Sequence, residues 1–173
     1  RNESVKMIFG DGHCLFGSIL WALGIDNNKV KQVRSAIADW MKENCDWMTR
    51  NSGLSRKDVL KRAREMRESS MWGDEFEILA FTEMSKVRVI VYSEITDSLG
   101  NLVAYKCTRG LENHDDSECD RIALLYCSSD KRVSLEPNHY NALARPVSFS
   151  AKIAGFRQKY LPDDLGPDQL LEV

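Results

Sequence analysis

The chain has 173 residues, enough for one compact domain with a short appended stretch. With 43% hydrophobic and 29% charged residues it can bury a core behind an ordinary polar surface. A formal net charge of −2 gives no pull toward nucleic acid or an anionic membrane, and no apolar run approaches the length of a membrane span.

Residues 7–9 are apolar and break at Gly10-Asp11-Gly12. Leu15, Ile19 and Leu23 then recur every four residues, which predicts a buried helix over 14–23 closed by Gly24. A second helix is predicted over 28–44, with Val30, Val33, Ile37, Trp40 and Met41 on one face. Ser55 and Asp58 form a capping pair that opens a polar helix running to about residue 69. Its Arg56, Lys57, Lys61, Arg62, Arg64 and Arg67 are interleaved with Asp58, Glu65 and Glu68, the pattern of a solvated face. After Gly73 a further helix spans 75–84.

The character then changes to strands. Residues 87–92 are β-branched and apolar, 97–101 make a turn, and 102–108 form a second strand. A polar, acidic loop covers 110–120, followed by a strand at 121–127 and a turn at 128–131. A short strand at 133–135 and a last one at 139–144 complete the set. Helices first and strands second predict an α/β or α+β layered domain. Residues 148–160 suit one helix, and 161–173 are Pro- and Asp-rich, so the domain is expected over 1–147 with a C-terminal helical extension or tail over 148–173. The five cysteines are odd in number and lack C-x-x-C spacing, which predicts thiols in a reducing, cytoplasmic setting and no metal site. The first residue is Arg, as expected of a domain cut from a longer protein.

Cys14 follows a glycine turn and begins a helix, where backbone N–H groups and the positive end of the helix dipole converge. That position favours the thiolate and offers N–H donors to a developing oxyanion. A small buried cysteine starting a helix would look the same. Of the three histidines, His13 adjoins Cys14 and its side chain diverges, and His114 lies in the acidic loop. His139 follows Pro137-Asn138 and is two residues from Asn141, whose side chain shares its side of a strand and can orient the imidazole. Spacing alone leaves open whether His139-Tyr140-Asn141 is a base with its orienting group or merely the start of a strand.

Asp11-Gly12-His13-Cys14-Leu15-Phe16 resembles the Asp-Gly-x-Cys-Leu-Phe motif of the ovarian-tumour (OTU) cysteine proteases. Trp72-Gly73-Asp74-Glu75-Phe76-Glu77-Ile78 is similar to that family's Trp-Gly-Gly-x-x-Glu-Leu segment, and His139-Tyr140-Asn141 to its His-Tyr-Asn segment, in the same order. The resemblance implies a papain-type fold with a mixed central sheet packed between helices. It implies Cys14 as nucleophile, His139 as general base, Asn141 as its orienting group and Asp11 as a further catalytic residue. The backbone of Asp11, Gly12, His13 and Cys14 would shape the oxyanion hole. Trp72, Gly73 and Asp74 would flank the channel for the substrate's tail, with Glu77 fixing the helix behind them. The substrate would be ubiquitin, polyubiquitin or a ubiquitin-like protein cleaved after its C-terminal Gly-Gly, without cofactor or metal, by a monomer that binds neither nucleic acid nor membrane.

Two positions depart from the family pattern. Gly17 stands where a larger, often basic residue is usual, and Asp74 replaces a glycine. The acidic residues Glu112, Asp115, Asp116 and Glu118 are candidates for meeting a basic substrate tail, and the basic helix is a second candidate docking face. The alternatives are a viral-type OTU protease that also processes a polyprotein, and a catalytically weak ubiquitin-binding module. For a viral or secreted effector protein the cytoplasm in question is the host's.

Overall fold

The computed structural model describes residues 6–8, 12–68, 71–96, 99, 102–109, 121–127, 139–143 and 151–161. Asp11, His114, the acidic loop, the 133–135 strand, the 128–131 turn and the stretch 162–173 lie outside them.

Gly12 turns the chain at φ +84°, a conformation that costs little only for glycine, and α1 (Cys14–Ala22) starts two residues later. The sequence predicts one apolar stripe; the helix is instead buried on almost every side, Trp21 alone being half-covered. Gly24, at φ +67°, closes it by donating its N–H to the Trp21 carbonyl at 2.9 Å. The expected second helix opens as a 3-10 turn, Asn27–Lys29, because the Asp26 side chain accepts the Asn28 N–H at 2.9 Å and tightens the chain there. α2 (Val30–Glu43) follows and points Val33, Ile37 and Met41 inward.

α3 (Cys45–Ser52) has no sequence-based counterpart; it buries only Cys45 and Met48, and Gly53 ends it at φ +76°. In α4 (Arg56–Glu68) the expected cap is present, Ser55 Oγ accepting the Asp58 N–H at 3.2 Å. Val59, Ala63 and Met66 are its buried side. α5 (Glu75–Ser85) buries Ile78, Ala80 and Phe81.

Four strands, β1 (Arg88–Thr96), β2 (Leu102–Arg109), β3 (Arg121–Cys127) and β4 (His139–Ala142), form a mixed sheet in the order β2-β1-β3-β4. β1 is antiparallel to β2 and parallel to β3, and β4 is antiparallel to β3. β1 runs four residues past its predicted end, because 93–96 pair with β2 across a hairpin. Val89 and Val91 of β1, Ile122 and Leu124 of β3 and Tyr140 of β4 join the helical core. α1 packs against β3 and β4, and α5 against β1. α6 (Ala151–Tyr160) lies on α5 and α2, placing Ile153 and Phe156 in the same core; the Phe156 ring meets Phe81 edge-on at 5.4 Å.

Arg34 ties these helices together. It is 4% exposed and donates to the carbonyls of Met66 and Met71, each at 3.0 Å, with its guanidinium 4.8 Å above the Phe16 ring. Arg34→Leu is expected to lower stability by about 2–4 kcal/mol, measured by chemical denaturation, because it strips two charge-assisted bonds from covered carbonyls.

Candidate active site

In β4, His139 pairs with Cys127 and Asn141 with Leu125. The pleat therefore puts His139 and Asn141 on the sheet face that also carries Cys127, as their two-residue spacing predicts. His139 is 4% exposed and Asn141 1%.

The N-terminal segment lies along the edge of β4. Lys6 donates its N–H to Ala142 O at 2.9 Å and accepts the Ala142 N–H at 3.3 Å. Two residues on, side chains of β4 take over from its backbone. The Ile8 N–H donates to Asn141 Oδ1 at 2.9 Å, and the Ile8 carbonyl meets His139 Nε2 at 2.8 Å. A carbonyl oxygen can only accept, so Nε2 carries the hydrogen and the neutral ring keeps its lone pair on Nδ1. Asn141 Nδ2 donates to Cys127 Sγ at 3.3 Å. The sequence suggests that Asn141 orients the imidazole by direct contact; its amide oxygen and nitrogen are instead engaged by Ile8 and Cys127.

α1, the helix that Cys14 begins, packs against β4. Ser18 Oγ donates to the Tyr140 carbonyl at 3.0 Å, docking the helix on β4 between His139 and Asn141. A Cβ at Gly17 would stand 3.1 Å from Ile8 Cγ2, so Gly17 leaves the room in which Ile8 lies against the helix. Ile8 is thus held between the His139 ring and a point one turn along from Cys14. Cys14 is 6% exposed, and the helix it begins has neither a side-chain cap nor an acidic residue in its first turn. Negative charge developing at that helix start meets no carboxylate from the helix itself.

The segment 71–74 crosses the same helix. A Cβ on Gly73 would come within 2.7 Å of Leu15 Cδ2 and 2.8 Å of Phe16 Cζ, so the backbone approaches more closely than any side chain permits. Gly73→Ala is expected to cost about 1–3 kcal/mol in denaturant titrations through overpacking, and to shift the Trp72 indole, which is 55% exposed. Asp74 is the N-cap of α5: its Oδ1 accepts the Phe76 N–H at 3.0 Å while Glu77 Oε2 accepts the Asp74 N–H at 2.8 Å. Arg62 completes the cluster with two 2.7 Å bonds to the fully covered Glu77 carboxylate and one at 2.8 Å to Asp74. Burial pushes the Glu77 carboxyl above the usual carboxylate range against the opposing pull of Arg62. The acid at position 74 therefore serves a helix terminus and an ion pair.

Ile8, Gly17 and His13 also line a cleft of about 460 Å³ with Asn27, Val30 and Lys31. Among the described residues no three His, Cys, Asp or Glu side chains form a group able to hold a metal ion. Sequence reasoning missed Arg34, Arg62, Cys127 and Ile8. The signal for the two arginines is their position: Arg34 adjoins Val33 and Ile37, and Arg62 falls with Val59, Ala63 and Met66, so each lies on or beside an apolar stripe. Ile8 acts through its backbone and carries no such signal.

A family model described as OTU-like cysteine protease matches residues 9–130. The chain belongs to the OTU-like cysteine protease family. Its fold is similar to that of the OTUD1 OTU domain, with a TM-score of 0.63 and 20% identity over 83% of this chain and 87% of that one. It is also similar to the viral OTU domain protease from Qalyub virus, with a TM-score of 0.58 and 19% identity over 82% and 83% of the two chains. An OTU deubiquitinase from Wolbachia pipientis wMel bound to ubiquitin gives 0.55 and 16%, over 83% and 96%. At these identities the likeness is one of fold. None of the curated proteins matches the sequence.

Proposed function

We propose that this chain is a deubiquitinase that hydrolyses isopeptide bonds after the C-terminal Gly-Gly of ubiquitin or a ubiquitin-like protein, with Cys14 as nucleophile and His139 as base. One observation carries this: Ile8 touches both the His139 ring and α1 one turn from Cys14, so two residues remote in sequence belong to one neighbourhood. The ubiquitin-bound Wolbachia OTU deubiquitinase, similar in fold, supports the substrate class. Burial of Cys14 and His139 supports it too, because a covered thiol suits a slender extended tail better than a folded surface.

In the proposed reaction His139 Nδ1 takes the thiol proton and the Cys14 sulfur attacks the carbonyl carbon of the terminal glycine. Backbone N–H groups at the start of α1 receive the oxyanion. As the C–N bond breaks, the imidazolium returns its proton to the departing lysine amine, leaving a thioester. The same ring then deprotonates water, which displaces the sulfur and frees the carboxylate.

A ubiquitin probe with an electrophilic C-terminus tests the assignment. We expect an adduct heavier by one ubiquitin, located at Cys14 by peptide mapping and absent from Cys14→Ala. Absence of any adduct with ubiquitin and ubiquitin-like probes, together with intact diubiquitins of every linkage, would refute it.

A further inference from the structure

We infer that the groove between α2 and α4 is a docking site for residues 162–173 of this same chain, an acidic stretch that lies outside the described residues. The inference is independent of the function proposed above.

The groove exists because the two helices face each other with short side chains. Ala38 of α2 and Ala63 of α4 are both buried, and with Leu60 they floor a trough of about 360 Å³. Residues 60, 63, 64 and 67 follow helical spacing, so one stripe of α4 supplies both floor and rim. The rim carries Lys42, Arg64 and Arg67 against Asp39 and Glu68. Arg67 is engaged by its ion pair with Asp39, whereas Lys42 and Arg64 make no ion pair with any described residue. α4 as a whole carries six cations against three acids, in a chain whose net charge is −2. Surplus positive charge around an apolar floor suits a segment that is both acidic and apolar.

Residues 162–173 have that composition. Asp163, Asp164, Asp168 and Glu172 are interspersed with Leu165, Leu170, Leu171 and Val173, and no Lys, Arg or His occurs among them. The stretch also sets out from a point beside the groove. α6 lies on α2, and Leu161, the residue after it, is buried in the core. The Lys159 ammonium is held in its charged form by Tyr160 and then also by Glu43, the last residue of α2 and the neighbour of Lys42. From Ala38 to Glu43 the helix rises only about 8 Å. Twelve residues cover about 18 Å even at helical rise, and up to about 40 Å when extended. A segment tethered this close meets the groove at a roughly millimolar effective concentration, so modest contacts suffice to hold it there. The basic face of α4 is then covered at this end by the chain's own acids, and an acidic partner from elsewhere would have to displace them.

The test places the photo-reactive residue p-benzoylphenylalanine at position 170 of the full chain. After irradiation, peptide mapping should find cross-links to residues 38–42 or 60–68 within the monomer band, at a yield independent of protein concentration. Lys42→Glu combined with Arg64→Glu should lower that yield about tenfold, since two attractions become repulsions. Lys57→Glu, which removes a cation of the same helix outside the groove, should stay within about twofold of the parent. High salt should lower the parental yield. Thermal melts identify any variant that does not fold. If the double variant is one of them, neutralising the stretch itself by Asp163→Asn, Asp164→Asn, Asp168→Asn and Glu172→Gln together should produce the same loss.

Cross-links confined to the dimer band would make a second copy the occupant and overturn the inference. So would cross-links to other elements, cross-links spread over the surface, or none at all. A parental yield in the folded charge variants, or an equal loss in Lys57→Glu, would overturn it as well.

Discussion

Cys14→Ala is expected to abolish conjugate cleavage, with a loss on the order of 10⁶-fold, while the protein still folds. In the proposed mechanism the sulfur is the atom that bonds to the substrate carbonyl. The structural price is small, since one buried atom is removed from a side chain already near alanine in size, about 1 kcal/mol. A turnover assay paired with a thermal melt separates the two effects. Parental turnover in Cys14→Ala would remove the thiol from the chemistry. Variants at position 141 are expected to be much less severe, because they leave the proposed nucleophile and base in place.

The second large effect concerns stability. Arg62→Leu is expected to cost about 3–5 kcal/mol, because it strands the fully covered Glu77 carboxylate without its counter-charge. Adding Glu77→Gln should recover much of that loss. The amide needs no counter-charge and its oxygen can still accept the Asp74 N–H, preserving the α5 cap. The pH dependence has a definite sign. Burial already raises the Glu77 carboxyl, and removing the downward pull of Arg62 raises it further. A group whose folded value lies above its unfolded one contributes its full stability below the ordinary carboxylate range and loses it as pH rises through the folded value. The deficit of Arg62→Leu relative to the parent should therefore shrink in acid and grow toward neutrality. A deficit that stays constant across that interval would exclude the carboxylate as its cause.

Much of the fold is legible in the residues because pattern and partner agree. The apolar spacing from Leu15 to Leu23 and the caps at Ser55 and Gly24 mark helices that the core then uses. The strand at 121–127 is bounded as its composition predicts. α3 escapes because an eight-residue helix that buries only Cys45 and Met48 leaves too few apolar positions to define a period. The extension of β1 escapes for another reason: its last four residues are held by β2, and pairing with a distant segment is invisible in local composition.

The site divides in the same way. Cys14, His139 and Asn141 are legible as residue types at informative positions, and β4 puts the latter two on one face. Their partners are not legible. The group that accepts from the imidazole is a main-chain carbonyl, which any residue at position 8 would supply. The role of Asp74 is hidden by its neighbour in a motif, although an acid three residues before Glu77 at a helix start also fits a cap.

The seam between residues 6–8 and β4 has a consequence for biogenesis. Ile8 and Asn141 are 133 positions apart, and closing so long a loop is entropically unfavourable until the rest of the domain brings the ends together. On a nascent polypeptide Cys14 leaves the ribosome well ahead of His139. On the proposed mechanism the thiol therefore waits for its base until β4 has emerged and docked.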